Sequence, residues 1–277
     1  MAPTVLNAVQ QTVAGAVGVG LLAAAAVVYG RVVTRLRREG GQVRAGCFDL
    51  PDLLVSIVLG SFFGGLVVRS ILRHAEAQAM KPEDVLPSSL TFAAFVIGLA
   101  LFLAYRRLRL VELFGLARLR GFAVLGWALL LLFASFPFVA VVNAVTLLLL
   151  KNEAAQQPLV ELFRAAAQRG DFSTMGVIAI AGVIIAPLCE EFLFRGYFYG
   201  VGKRYFGAWI SGLFTAALFA VFHANLTSLA GLFVLAIALT LSYERTGTLA
   251  VPITMHALFN ATSLGVLYLQ ATNHLPT

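Results

Sequence analysis

Stretches free of Asp, Glu, Lys and Arg recur along the chain: Val13 to Gly30, Leu53 to Val68, Val85 to Tyr105, Gly121 to Leu150, Phe172 to Cys189, Tyr205 to Phe222, Ala224 to Tyr243 and Thr246 to Gln270. An α-helix crosses a bilayer core of about 30 Å with roughly 20 apolar residues. The pattern therefore predicts eight membrane spans, numbered here first to eighth, with the connections between them numbered the same way. The second reaches full length once Arg69 snorkels and Ile71 and Leu72 are added. Pro137, near the middle of the long fourth run, predicts a kink. Gly15, Gly18 and Gly20 in the first span and Gly60, Gly64 and Gly65 in the second suit close helix contact, or reflect only the high glycine content of membrane helices. The expected fold class is all-α: a polytopic transmembrane helix bundle of about eight helices.

Composition excludes a soluble domain. Hydrophobic residues make up 60% of the 277 and charged residues 12%, with a mean hydropathy of +0.90, against about 25% charged in soluble proteins. The net charge of +7 does not point to nucleic acid, because no helix carries a Lys/Arg stripe interleaved with aromatics. The basic residues sit in the connections instead, 13 in odd-numbered ones and 6 in even-numbered ones. The positive-inside rule then places the odd connections in the cytoplasm and both termini outside. The chain reads as an integral multi-pass protein of a prokaryotic plasma membrane. Its amino terminus lacks the basic region of a secretory signal, so the first span reads as an uncleaved helix. Two cysteines, Cys47 and Cys189, are too few for a disulfide framework or a cysteine metal cluster.

No internal repeat is visible, yet the polar chemistry is one-sided. Residues 1–172, with the first four spans, hold no carboxylate at membrane depth and keep an unassigned role. Residues 173–277 hold Glu190, Glu191, Arg195, His223, His256 and Asn260. A charged group at the centre of a membrane helix costs about 2.5 to 3.5 kcal/mol to insert, so a doublet of acids calls for an explanation. Glu191 and Arg195 are four apart and share a helical face, which suits a buried ion pair. Glu190 points about 100° away and is left free for chemistry, or else pairs with a cation of a neighbouring helix. His256 and Asn260 are also four apart, while His223 ends the segment Phe-Ala-Val-Phe-His.

A free carboxylate with two imidazoles and an amide suits hydrolysis: a carboxylate as general base to a water, imidazole to position it, and donors for an oxyanion. The same groups are zinc ligands, although the helix His-Glu-x-x-His of zinc proteases is absent. The residues thus leave a divalent metal open, with Glu190, His223 and His256 as its candidate ligands. A serine triad lacks its context, and Cys189 beside two carboxylates makes a poor nucleophile and reads as a packing residue. His74 and His274 read as solvated. Pro187 frees the carbonyl of residue 183 by helical counting and opens the backbone, or merely bends the helix. Such a set predicts one polar pocket bounded by the fifth, sixth and eighth spans, about 12 Å from the odd-numbered end of the fifth and open towards it.

These residues resemble the CPBP family of intramembrane proteases, which includes type II CAAX prenyl endopeptidases and bacteriocin-processing and self-immunity relatives. Its three motifs, Glu-Glu-x-x-x-Arg, Phe-x-x-x-His and His-x-x-x-Asn, occur in order as Glu190-Glu191 with Arg195, Phe219 with His223, and His256 with Asn260. The resemblance runs from about Met175 to Gln270. It implies an intramembrane endopeptidase, a metalloprotease by the family's usual description although a metal-free glutamate mechanism is also argued for it, cleaving a peptide or protein substrate near the membrane boundary. It further implies that Glu190 and His223 activate water, that His256 and Asn260 form the oxyanion site, and that Glu191, Arg195 and Phe219 support them. Membrane lipid is the other expected partner. Two competing readings are a non-catalytic scaffold or self-immunity protein on the same fold, and a proton-coupled transporter; the lack of paired inverted halves disfavours the transporter.

Overall fold

The computed structural model describes residues 2–72, 80–150 and 157–272; His74 and His274 lie outside them. The chain forms α1 (Ala2–Glu39), α2 (Leu50–Leu72), α3 (Pro82–Tyr105), a one-turn α4 (Leu110–Leu113), α5 (Gly121–Leu149) and α6 (Pro158–Arg169). A single helical run follows, made of α7 (Phe172–Ala179), a first π segment (Ile180–Ile185), α8 (Ala186–Glu191), a second π segment (Phe192–Phe198) and α9 (Tyr199–Phe222). Then come α10 (Leu226–Thr246) and α11 (Ala250–Ala271). The described residues include no strand. The protein is an all-α, multi-pass membrane bundle.

Seven helical stretches among the described residues are long and apolar enough to span a membrane, and one of them, Phe172–Phe222, has 51 residues. Straight, it would measure about 77 Å, far beyond a bilayer. It is not straight. Gly207 takes φ 79° and ψ 167°, a conformation that costs any residue with a Cβ dearly. The chain turns back there: Gly202 lies against Ser211 and Gly212 against Tyr199, the Phe194 and Phe219 rings are 5.2 Å apart, and Glu190 faces His223. Such pairing on either side of residue 207 makes an antiparallel helical hairpin, so the fifth and sixth predicted spans are its two arms.

Around this hairpin, α10 is the central helix, with Leu235, Ala236 and Leu239 fully buried between α5, α9 and α11. Several hydroxyls in the helices, those of Thr215, Thr240 and Thr246 among them, return their protons to carbonyls of their own helices, which satisfies them where water is absent. The amphipathic helix α6, read from the sequence only as part of the fourth connection, buries Phe163, Ala166 and Ala167. Gly170 and the N-cap Asp171 turn the chain from α6 into α7.

The odd-numbered connections gather at one end. Gln42 N donates to Glu244 O at 3.0 Å and Leu249 N to Phe114 O at 2.9 Å, Lys203 Nζ reaches Val43 O at 3.0 Å, and Arg118 bonds Gln42. At the other end, Gln157 of the fourth connection bonds Ser228, just past the sixth.

Candidate active site

The backbone around the two acids is not regular α-helix. The Ala186 N–H reaches back five residues to Ala181 O, and in that register the next donor would be Pro187, which has no N–H. The Gly182 carbonyl is thereby left over, and Asn260 Nδ2 donates to it at 2.7 Å. The freed carbonyl is thus residue 182 rather than residue 183, because the helix widens to the five-residue register just before the proline. A second widening follows the acids, where the Tyr199 N–H bonds Phe194 O. π segments flanking polar residues are a recurrent feature of functional helices.

Glu190, His223 and His256 come together from α8, the end of α9 and α11. Glu190 Oε2 is 3.8 Å from His223 Nε2 and 3.9 Å from His256 Nε2. These separations exceed a direct hydrogen bond and fall within reach of one bridging water. The outer nitrogens are engaged: His223 Nδ1 lies 2.9 Å from Phe219 O and His256 Nδ1 lies 2.9 Å from Glu191 Oε1. A carbonyl and a carboxylate only accept, so both rings donate from Nδ1. In the neutral rings each Nε2 then carries a lone pair. Three acceptors therefore face one another, and Glu190 Oε2 is buried with no hydrogen-bond partner. Asn260 is not joined to this trio by any hydrogen bond; its amide donates to Gly182 O instead.

Glu191 has wholly different surroundings. It is fully buried, and its Oε1 accepts from Arg195 Nη1 at 2.8 Å as well as from His256. Arg195, also buried, donates from Nη2 to Ala236 O at 3.2 Å. Its guanidinium lies over the Phe219 ring at 4.3 Å, and the same ring meets His223 at 4.7 Å and His256 at 5.7 Å. Phe219 is thus the apolar face on which the charged cluster is stacked. The Glu191 to His256 contact spans 65 residues of sequence, so no local spacing could signal it.

A cavity of about 350 Å³ adjoins Glu190 and His223, and Phe63 and Leu66 of α2, Phe92 of α3, Phe194 and Phe222 help to wall it. The cavity is therefore not bounded as expected by the fifth, sixth and eighth spans: the fifth and sixth contribute, the second and third close it, and no residue of the eighth lines it, although His256 approaches Glu190 from that span. Its depth also differs from the expected 12 Å. The first hairpin arm continues past Phe198 to Phe206, which puts Glu190 16 residues, about 24 Å, from the turn, and His223 ends the second arm at about 22 Å. The two agree with each other, and Ala224, in the even-numbered sixth connection, lines the cavity, so the cavity adjoins that end rather than the odd one.

The donor set of one carboxylate and two imidazoles is that of many zinc sites, but two ligands of a tetrahedral zinc at about 2.05 Å stand about 3.3 Å apart. The observed 3.8 and 3.9 Å are wider, and among the described residues no group of three His, Cys, Asp or Glu is arranged to hold a metal ion. The residues match a metal by type and not by spacing.

Residues 172–262 match the family of type II CAAX prenyl endopeptidase Rce1-like proteins, which agrees with the resemblance read from the three motifs. Among curated proteins, the chain is 39% identical over 90 residues to an uncharacterized 24.3 kDa protein of Escherichia coli, a match covering 31% of this chain and 41% of that one. The chain thus spans about two fifths of that relative's length. No solved structure matches the chain.

Proposed function

We propose, from a carboxy-terminal segment of the Rce1-like type, that the chain is an intramembrane endopeptidase using a Glu190-activated water. The observation that carries this reading is the convergence of Glu190 Oε2, which has no hydrogen-bond partner, with the two Nε2 atoms at the spacing of one bridging water. A water there donates one hydrogen to Glu190 and one to His223, which leaves an oxygen lone pair for attack. The other histidine, His256, is held by Glu191 at Nδ1 and faces the same point from Nε2, from which it serves the oxyanion once that nitrogen carries a proton.

In the reaction, Glu190 takes a proton from the water as its oxygen bonds to the scissile carbonyl carbon. The carbonyl electron pair moves to oxygen, where His256 Nε2–H and the remaining Asn260 Nδ2 hydrogen stabilise it. Collapse expels the amine, which receives the proton from Glu190. No step passes through a metal. General-base catalysis contributes about 10² to 10⁴ and one oxyanion donor about 10² to 10³. The odd-numbered, basic connections face the cytoplasm in this account, and lipid surrounds the bundle. The test uses purified protein in lipid vesicles with labelled peptides and maps products by mass spectrometry. Cleavage by the wild type, lowered at least a hundredfold in His223→Ala, supports the reading; equal cleavage by both removes it.

A further inference from the structure

We propose that the seam between α2 and the hairpin receives an apolar stretch of the peptide substrate, and that Phe63 and Phe222 form the constriction between that stretch and Glu190. The inference rests on the endopeptidase reading. A second and larger cavity of about 580 Å³ lies on this seam, bounded by α2 from Leu53 to Ser61 and by the hairpin from Phe198 to Leu218, with no charged residue in its wall. Further along the same elements comes the Glu190 cavity, bounded by Phe63 to Val67 and by Phe194 and Phe222. Between them stand the Phe63 and Phe222 rings, edge to face at 5.0 Å, with Phe95 bracing Phe63 at 5.0 Å. The two cavities thus follow one another along the same pair of elements, and the second is lined by the reacting carboxylate.

The wall identifies the occupant. Thr215, Thr240, Thr254 and Thr262 return their hydroxyl protons to carbonyls of their own helices, whereas the hydroxyls of Ser56 and Ser61, both in this wall, make no hydrogen bond among the described residues. Unused hydroxyls in an apolar groove match the amides and carbonyls of a peptide and have nothing to offer a hydrocarbon tail. Ile57, Phe206 and Ile210 are exposed at the rim, so the groove is entered from the membrane plane. Gly60 supplies its width: a Cβ there would find open space, so a larger residue fills the groove without a clash.

The test places a photo-crosslinking benzoylphenylalanine at Ile57, in the wall, or at Val58, exposed outside it. The protein carries Glu190→Gln so that peptide is not consumed, and sits in phosphatidylcholine vesicles with a biotinylated Leu/Ala peptide. The expected result is capture of the peptide from position 57, roughly tenfold above position 58, falling roughly tenfold when Gly60→Leu is added, equivalent to about 1.4 kcal/mol. Equal yields at both positions, indifference to Gly60→Leu, or capture of phosphatidylcholine alone would each overturn the inference. Its failure is separable from failure of the endopeptidase reading: hydrolysis by wild type but not by Glu190→Gln keeps that reading whatever the crosslinks show, and capture without hydrolysis by wild type keeps the groove and removes the reading.

Discussion

Glu190 and Glu191 are neighbours in the chain and opposites in environment. Glu191 neutralises Arg195 and holds the outer nitrogen of His256 through Oε1, whereas Glu190 lines a cavity; each carboxylate keeps one buried oxygen without a hydrogen-bond partner. The four-residue spacing made the ion pair legible in the sequence, but the histidine bonded to the same carboxylate was not, because only the packing of α11 on α8 brings it there. Glu191→Gln leaves the Arg195 charge without its counter-ion, and breaking a buried pair typically costs about 3 to 5 kcal/mol. The expected result is a lower melting temperature in detergent, partly rescued by adding Arg195→Met. At the surface, Asp171 caps α7 through Thr174, whose hydroxyl and N–H hold the carboxyl below its ordinary range. Because the folded value is the lower one, this stabilisation is complete at neutral pH and is lost as pH falls below about 4. Melting curves should show the wild type losing more on acidification than Asp171→Asn, which caps without titrating; parallel losses would contradict this.

Among the elements, the helix positions followed from hydropathy while the departures from regular helix did not. The fifth connection, with Lys203 and Arg204, signalled a reversal between the fifth and sixth spans but not its position: the turn falls at Gly207, inside the sixth apolar run, and its φ of 79° explains why a 51-residue stretch is two arms. Gly207→Ala should therefore destabilise by about 1 to 3 kcal/mol, read as a fall in melting temperature. Pro187 did signal a backbone opening, but the carbonyl it leaves depends on the register, which a helix of fixed periodicity cannot supply. Pro187→Ala restores an N–H that competes with Asn260 for Gly182 O. Stability should hold or rise while activity falls, up to about a hundredfold if the reacting groups shift by 1 Å. Unchanged activity would mean that the Asn260 contact does not position the site.

At the scale of the molecule, alternation of basic and less basic connections anticipated that the odd ones share an end, and the contacts among Gln42, Arg118, Lys203, Glu244 and Leu249 place them together. What hydropathy could not reveal is that α2 and α3 wall the site, since lipid-facing and pocket-facing apolar residues look alike. Orientation is open to a test without substitution: Cys47 is exposed in the first connection and Cys189 is buried. Partial burial first, and nearby acids second, push the Cys47 thiol up, so labelling of cells by a membrane-impermeant maleimide is slow at neutral pH and is followed over time. No labelling until the cells are permeabilised is expected; labelling of intact cells would invert the bundle. The central claim, that one of two adjacent carboxylates does the chemistry and the other holds the structure, is tested most directly by measuring peptide cleavage and melting temperature together in Glu190→Gln and Glu191→Gln. The account predicts that Glu190→Gln keeps or raises the melting temperature and loses at least a hundredfold in cleavage, while Glu191→Gln melts lower. A Glu190→Gln protein that unfolds, beside a Glu191→Gln protein that is stable but inactive, would contradict it.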